Sequence, residues 1–569
     1  MDWHPLTHWL YGNRLSRRIA DAAFARYSRR RMAELDLLRP DRVQEHTLLD
    51  LVRRAQGTRF GIEHDFARIK SVADYQRLVP VRDYEQFWEN YWKPVYPYLA
   101  GTTWPEPIPY FALSSGTTSG TTKYIPISWD MVRSNSKAAA TLLAGFVNTQ
   151  PRAHLLWGRM FFLGGSTDLQ CVGKLAAEDR LLWERSNPRP RRWRLRSRLR
   201  ERLRAANATL EPQSQREILA GDLSGIAARE VPEVLRPYSF PPTDLALLSN
   251  WDEKVRILAQ RSAELPITMI SGIPSWLLVL FARLKQITGK DTISQIWPTL
   301  RLVIHGGIKF DPYRETLQRE IGNPNVRFLE SYPCSEGFIA CEDPRYNLLR
   351  LVPDHGIFFE FIPVEDLGKD RPTRHTVANV ELGVQYAVAL TTCAGLWSYL
   401  VGDTVAFERR DPPLLRFTGR TRYFLSAFGE HLISEEVERA IAASASTCQA
   451  AVADFHVGPQ FPTQTHEPGR HLYLVEFTRG PVSLERFAAE LDHQLCKLNE
   501  DYLAHRKGDV GMACPIVHTV RPGGFAAWLR AHGKLGGQHK VPRMDNSGQL
   551  TAQLERWLAE AGLLESRAP

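Results

Sequence analysis

Between Ile267 and Leu390 the chain alternates two hydrophobic patterns, and that alternation narrows the folds open to it. Ile267-Thr268-Met269-Ile270, Leu300 to Ile304, Gly356 to Ile362 and Tyr386 to Leu390 are short apolar runs. They are rich in β-branched and aromatic residues, which suit strands. Trp276 to Leu284 reads as a helix instead. Strands interleaved with helices predict an α/β architecture of layered sheets and helices. After Phe417-Thr418-Gly419-Arg420 the plan restarts on a smaller scale. A helix over Glu435 to Ile441, a strand over His471 to Phe477 and a long helix over Leu484 to Leu498 follow, an α+β pattern. At 569 residues the chain exceeds one ordinary core. It is expected to divide near Gly419 into a large domain, 1–418, and a smaller one, 419–569.

Composition excludes several classes. With 43% apolar and 24% charged residues the chain is globular and not disordered. No run approaches the roughly eighteen apolar residues that a membrane-crossing helix needs, so no span is expected. Met1-Asp2-Trp3-His4-Pro5 lacks the basic-then-apolar layout of a secretory signal. The seven cysteines are odd in number and scattered, without C-x-x-C spacing, so neither a disulfide framework nor a zinc site is expected. A reduced cytoplasm is the expected location. Of the net +9 charge, much lies in Arg185 to Arg204, with ten arginines against Glu201. That stretch fits an anionic partner or the solvated face of an amphipathic helix. The solvated face is favoured here and for the second cluster, Arg14 to Arg31, so nucleic acid is not an expected partner.

Chemistry is concentrated in Leu113-Ser114-Ser115-Gly116-Thr117-Thr118-Ser119-Gly120-Thr121-Thr122-Lys123. The hydroxyls can donate to phosphate oxygens, the glycines admit close backbone N–H groups, and Lys123 adds a cation. Such a loop suits a polyphosphate or, equally by composition, a solvated turn between strands. It is not a Walker A loop, because three residues separate Gly116 from Gly120 and Tyr124 follows the lysine. Three later clusters suit a nucleotide. Val303-Ile304-His305-Gly306-Gly307 ends a strand in bare backbone that can lie against a flat ring. Tyr332-Pro333-Cys334-Ser335-Glu336 offers an aromatic face, a hydroxyl for phosphate and a carboxylate for Mg²⁺. Leu400-Val401-Gly402-Asp403 puts one acid on a predicted turn, where it can accept two ribose hydroxyls.

The order of these clusters, with Gly419-Arg420 after them, resembles the adenylate-forming superfamily of acyl-CoA synthetases, adenylation domains and luciferases. Within it the chain is most similar to the auxin-responsive acyl-acid amido synthetases of plants and their bacterial relatives. Ser271 to Trp276, Glu360 to Pro363, Ala394 to Trp397, Asn499 to Tyr502 and Gly537-Gln538-His539-Lys540-Val541-Pro542-Arg543 carry that likeness, which spans residues 80 to 545. One departure stands out. Ser398 and Leu400 occupy places where the family carries arginines, so two cations near the ribose or the acid pocket are expected to be missing.

The resemblance implies a large adenylate-forming domain and a small mobile C-terminal domain hinged at Arg420. It implies an ATP-dependent enzyme that adenylates a small carboxylic acid and passes the acyl group to an amino acid or other amine, releasing AMP and pyrophosphate, with Mg²⁺ as cofactor. An acyl-CoA ligase with a thiol acceptor is the alternative. By the same likeness Ser114, Ser115, Gly116, Thr117, Thr118 and Lys123 would hold the departing phosphates, with Ser335 beside them. Gly306, Gly307 and Tyr332 would hold adenine, Asp403 and Arg420 the ribose, and Glu336 the Mg²⁺. Phe162, Ser275, Trp276 and His305 would line an apolar acid pocket. Lys540 would bridge the attacking carboxylate and the α-phosphate, a task suited to a compact ammonium, with Lys534 as its nearby decoy.

Overall fold

The computed structural model describes residues 13–115, 122–164, 169–175, 217–232, 235–248, 250–306, 310–421, 424–425, 427–428, 430, 432–461, 469–499, 502–503, 506, 512–532 and 541–565. All structural statements below concern those residues. The Arg185 to Arg204 stretch lies outside them.

A small sheet and a large one shape the first four hundred residues. β1 (Tyr110–Ser115) and β2 (Thr122–Ile127) form an antiparallel hairpin, with Ser114 opposite Lys123. β4 (Gln170–Lys174) and β5 (Glu217–Gly221) complete that sheet in the order β2-β1-β5-β4. The large sheet begins with β3 (Arg159–Phe162), β6 (Ser239–Phe240), β7 (Ile267–Ser271), β8 (Leu302–His305) and β9 (Arg327–Cys334), all parallel. β10 (Gly337–Asp343), β11 (Leu348–Leu351), β12 (Ile357–Pro363), β13 (Gln385–Thr392), β14 (Tyr399–Arg409) and β15 (Leu414–Arg420) extend it antiparallel to eleven strands. The order is β12-β13-β14-β15-β11-β10-β9-β8-β7-β3-β6. Ile357 to Pro363 and all but the first residue of β13 are buried, which is why these strands read as largely apolar runs, with Glu360 the one charge inside them.

Helices pack on the sheet, and those between its parallel strands are the crossover connections such strands require. α1 (Arg14–Leu37) starts at Asn13, whose side chain accepts from the Ser16 N–H at 2.8 Å. α2 (Pro274–Thr288) has proline in its first turn and stops at Gly289, in the left-handed region at φ +67°. It runs longer than the predicted Trp276 to Leu284 and seats Leu277, Leu280, Phe281 and Leu284 against β7 and β8 in one core. α3 (Asp311–Ile321) follows β8.

Beyond β15 come a two-stranded ribbon, β16 (Phe424–Leu425) with β17 (Leu432–Ile433), and then α4 (Ser434–Thr447). β18 (Ala451–Gln460), β19 (Arg470–Arg479), β20 (Ile516–Val520) and β21 (Leu564–Glu565) form a separate four-stranded sheet. α5 (Leu484–Leu498) has the bounds predicted from the sequence, and packs Phe487, Leu491 and Leu495 beside Val437 and Ile441 of α4. No helix of the described residues is long and apolar enough to cross a membrane.

Candidate active site

One cleft of about 1920 Å³ gathers most of the residues singled out from the sequence. Its floor is the carboxyl end of the parallel strands, where open α/β sheets leave room for ligands. Phe162 ends β3, Trp276 follows β7, His305 and Gly306 follow β8, and Tyr332, Ser335 and Glu336 lie at or just beyond the end of β9. Ser114 and Lys123 arrive from the β1–β2 hairpin, Asp403 from β14, and Gly419 and Thr421 from the end of β15. Gly116, Thr117, Thr118, Gly307 and Lys540 lie outside the described residues, as does Lys534. Ser115, Ser275 and Arg420 are placed by backbone alone: Ser115 ends β1, Ser275 opens α2, and Arg420 is the register partner of Asp403.

Asp403 sits differently from its predicted turn. It is within β14, at a register shift where Leu400 pairs with Ala389 and Thr404 with Ala387, so that Val401, Gly402 and Asp403 bulge out opposite Val388. Gly402 adopts φ +93°, a conformation that side chains resist, and the bulge aims Asp403 into the cleft. The Tyr332 hydroxyl donates to Asp403 Oδ2 at 2.9 Å, while the Tyr332 ring meets Phe417 edge-on at 5.4 Å. The groups expected at adenine and at ribose thus hold each other. Gly306 has a packing reason of its own: a Cβ there would collide with the Ser331 carbonyl of β9.

Glu336 is buried, and burial pushes its carboxyl above the usual range, with the Lys123 charge opposing that rise and Asp403 adding to it. The Tyr399 hydroxyl donates to Glu336 Oε1 at 3.1 Å. No group of three metal-binding side chains occurs among the described residues. Mg²⁺ carried by a nucleotide needs only one or two carboxylates beside the phosphates and water, and a buried carboxylate facing the cleft fits that demand. Lys123 places its ammonium 5.4 Å from the centre of the Tyr84 ring.

The side of the cleft expected to take the acid is apolar. Phe162 is exposed to the cleft while Phe161 turns inward against Phe240 and Trp297. His305 stacks on Phe310 at 3.7 Å and 9°, and burial lowers its pKa to about 3, so the ring is neutral and supplies no counter-charge to a carboxylate.

Ser398 corrects the expectation of two missing cations near the cleft. It is fully buried, at φ +47°, with its hydroxyl donating to Glu360 Oε2 and accepting from Arg374, each at 2.8 Å. It lies beneath β14 and not in the pocket. Only Leu400 of the pair lines the cleft.

Sequence reasoning gave no role to Tyr399 or to the far wall, where Glu435, Glu438, Arg439 and Asp454 reach the cleft. Arg543, in a motif already noted, pairs there with Glu438 at 2.8 Å and lies 3.5 Å from Asp454. The wall residues come together only through tertiary packing.

The domain models of the GH3 family match the chain in order: the N-terminal domain over residues 30–326, the central domain over 350–420 and the C-terminal domain over 435–549. An indole-3-acetic acid-amido synthetase from Oryza sativa subsp. indica is 26% identical over 275 residues, covering 44% of this chain and 44% of the relative. A jasmonoyl–L-amino acid synthetase from Nicotiana attenuata is 23% identical over 490 residues, covering 79% and 82%. The chain spans about half the length of the first rice relatives it matches. In fold it is similar to the GH3.15 acyl acid amido synthetase, with a TM-score of 0.71 at 14% identity over 94% of this chain and 96% of that one.

Proposed function

The chain belongs to the GH3 family, and from that premise we propose that it is an ATP-dependent ligase that adenylates a carboxylic acid and joins the acyl group to an amino acid. The observation that supports this reading is the convergence of five distant segments on one cleft: Ser114 with Lys123, Gly306, Tyr332 with Glu336, Asp403, and Gly419. A carboxylate oxygen attacks the α-phosphorus of ATP and pyrophosphate leaves. An amine then attacks the acyl carbonyl, AMP leaves, and the amine's proton passes to solvent or a base.

Carboxylate and triphosphate repel each other, so the protein's contribution is positioning and neutralisation. The Ser114 to Thr118 loop and Lys123 take the departing phosphates. Tyr332 and the Gly306-Gly307 backbone hold adenine, and Asp403 with Arg420 the ribose. Glu336 holds Mg²⁺, which supplies charge neutralisation on the phosphates when bound. Phe162, Ser275, Trp276 and His305 receive an apolar acid. Residues from 419 onward form a mobile unit hinged at Arg420 that brings Lys540 in for adenylation and withdraws it for the amine. The cytoplasm is the compartment assigned on the sequence grounds above.

A screen of carboxylic acids for pyrophosphate release, with amino acids and CoA offered separately to the adenylated enzyme, tests the reading. Acid-dependent release followed by amide formation is expected. Turnover with CoA alone would replace the acceptor, and release with no acid would remove adenylation. Asp403→Asn should lower kcat/KM for ATP by about 10- to 100-fold, the weight of roughly 1.5–3 kcal/mol for hydrogen bonds to a charged group; an unchanged ATP profile would take the ribose from Asp403.

The raised pKa of Glu336 sets a pH limb. The ionised form attracts the cation and the protonated form does not. MgATP use is therefore present above that raised value and lost as pH falls through it, at a pH above the ordinary glutamate range. Lys123→Ala removes the charge that opposes the shift and should move the limb further upward in a kcat/KM profile for MgATP. A limb that stays in place would separate the two residues.

A further inference from the structure

α1 turns an apolar stripe outward, ringed by cations. Leu15 and Ile19, one turn apart, are 69% and 61% exposed, and Trp157, beside Arg18, is 46% exposed. The Arg18 guanidinium lies 5.6 Å from the centre of the Trp157 ring. Arg14, Arg18, Arg26, Arg29 and Arg30 are exposed on the same helix. Asp21 is turned toward His154 Nδ1 at 2.8 Å, and Glu34 pairs with Arg30 at 2.7 Å, so Arg14, Arg18, Arg26 and Arg29 are the cations the face offers. The opposite side of the helix is committed to the fold: Ser28, Arg31, Met32 and Leu35 are buried, and Arg17 donates to the Leu156 and Pro237 carbonyls. Phe24 lines the cleft itself.

We propose that this outward face, with Trp157, is a docking surface for an anionic lipid bilayer. Two exposed aliphatic side chains flanked by arginines can seat at the bilayer interface, Leu15 and Ile19 among the acyl-chain ends and the arginines at the headgroups. Charge complementarity selects the partner, since each basic side chain near an anionic surface strengthens binding. The apolar pair at the centre of the face suits lipid and has no use on a nucleic-acid backbone. The face stands apart from the ligase reading, because it is tested by partition and not by turnover.

The experiment is co-sedimentation of the full chain with vesicles of mixed phosphatidylglycerol and phosphatidylcholine, against phosphatidylcholine alone. Pelleting is expected with the anionic vesicles only. Leu15→Asp with Ile19→Asp should weaken the partition at least about tenfold, and Arg18→Ala, Arg26→Ala and Arg29→Ala together about a hundredfold. All five side chains face solvent, so far-ultraviolet circular dichroism and the unfolding temperature should hold. The proposal is overturned by no pelleting, or by pelleting that ignores the Leu15 and Ile19 changes and vanishes only when Arg185 to Arg204 is neutralised. Polyuridylate binding that falls as much as lipid binding in the Leu15 and Ile19 variant would also overturn it, reassigning the face to nucleic acid.

Discussion

Replacing Lys540 with alanine is expected to lower acid-dependent pyrophosphate release by about 10²- to 10³-fold, the cost of removing one charge-stabilising group from a reacting centre. The same variant should still consume pre-made acyl-adenylate with an amine at a rate near that of the parent. The asymmetry follows from the chemistry. Only the first half-reaction brings a carboxylate against a phosphorus crowded with anionic oxygens, so only there does a bridging ammonium gain in the transition state over the ground state. The residues that follow this lysine are fixed at the cleft. Val541, Pro542 and Arg543 line it, the Val457 N–H donates to the Arg543 carbonyl at 2.8 Å, and Arg543 pairs with Glu438. Lys534→Ala should leave both half-reactions intact. Equal loss of both in the Lys540 variant would contradict the swing of the C-terminal unit, and loss of adenylation in the Lys534 variant would transfer the role.

Arg374→Ala is expected to destabilise the protein by about 3–5 kcal/mol, the range for removing one partner of a buried ion pair. Glu360 is fully buried and accepts from Arg374 Nε at 2.9 Å on Oε1 and from its second guanidinium nitrogen at 2.9 Å on Oε2. Gln76 and Ser398 complete the carboxylate's partners, and Arg374 also donates to the Gln76 and Val79 carbonyls. Burial alone would make the guanidinium easier to deprotonate; the Glu360 charge outweighs it and holds the Arg374 pKa above its ordinary value. Without Arg374, a carboxylate is left charged in the interior. Urea unfolding should show the loss, and Arg374→Met combined with Glu360→Leu should recover much of it. The network also fixes Ser398, the residue before Tyr399, whose hydroxyl reaches Glu336. A destabilised variant should therefore also lose MgATP affinity. Unfolding indistinguishable from the parent would show that water or neighbouring groups replace the pair.

The two stability-bearing and chemistry-bearing halves of the molecule were legible to different degrees. Short β-branched and aromatic runs such as Ile357 to Ile362, interrupted only by Glu360, read as strands from their length and residue types, and the structure buries them. α5 was equally plain, because one amphipathic period runs its whole length. The hairpin carrying Ser114 and Lys123 was implied by two apolar runs flanking a hydroxyl-rich loop. Gly402-Asp403 was read as a turn because local chemistry suggests one there. Its actual setting is a bulge in a long strand, a feature imposed by the neighbouring strand β13 and invisible to a local reading. The resemblance puts Ser398 near the pocket, at a place where the family carries an arginine. Its orientation inward, toward Arg374, depends on a residue from a separate segment and a left-handed backbone.

The most direct test uses an apolar carboxylic acid from the screen, labelled with ¹⁸O in its carboxylate, incubated with MgATP and an amino acid. If the acid's oxygen attacks the α-phosphorus, AMP recovered after amide formation carries one ¹⁸O. Unlabelled AMP, or label appearing in inorganic phosphate with release of ADP, would contradict the account.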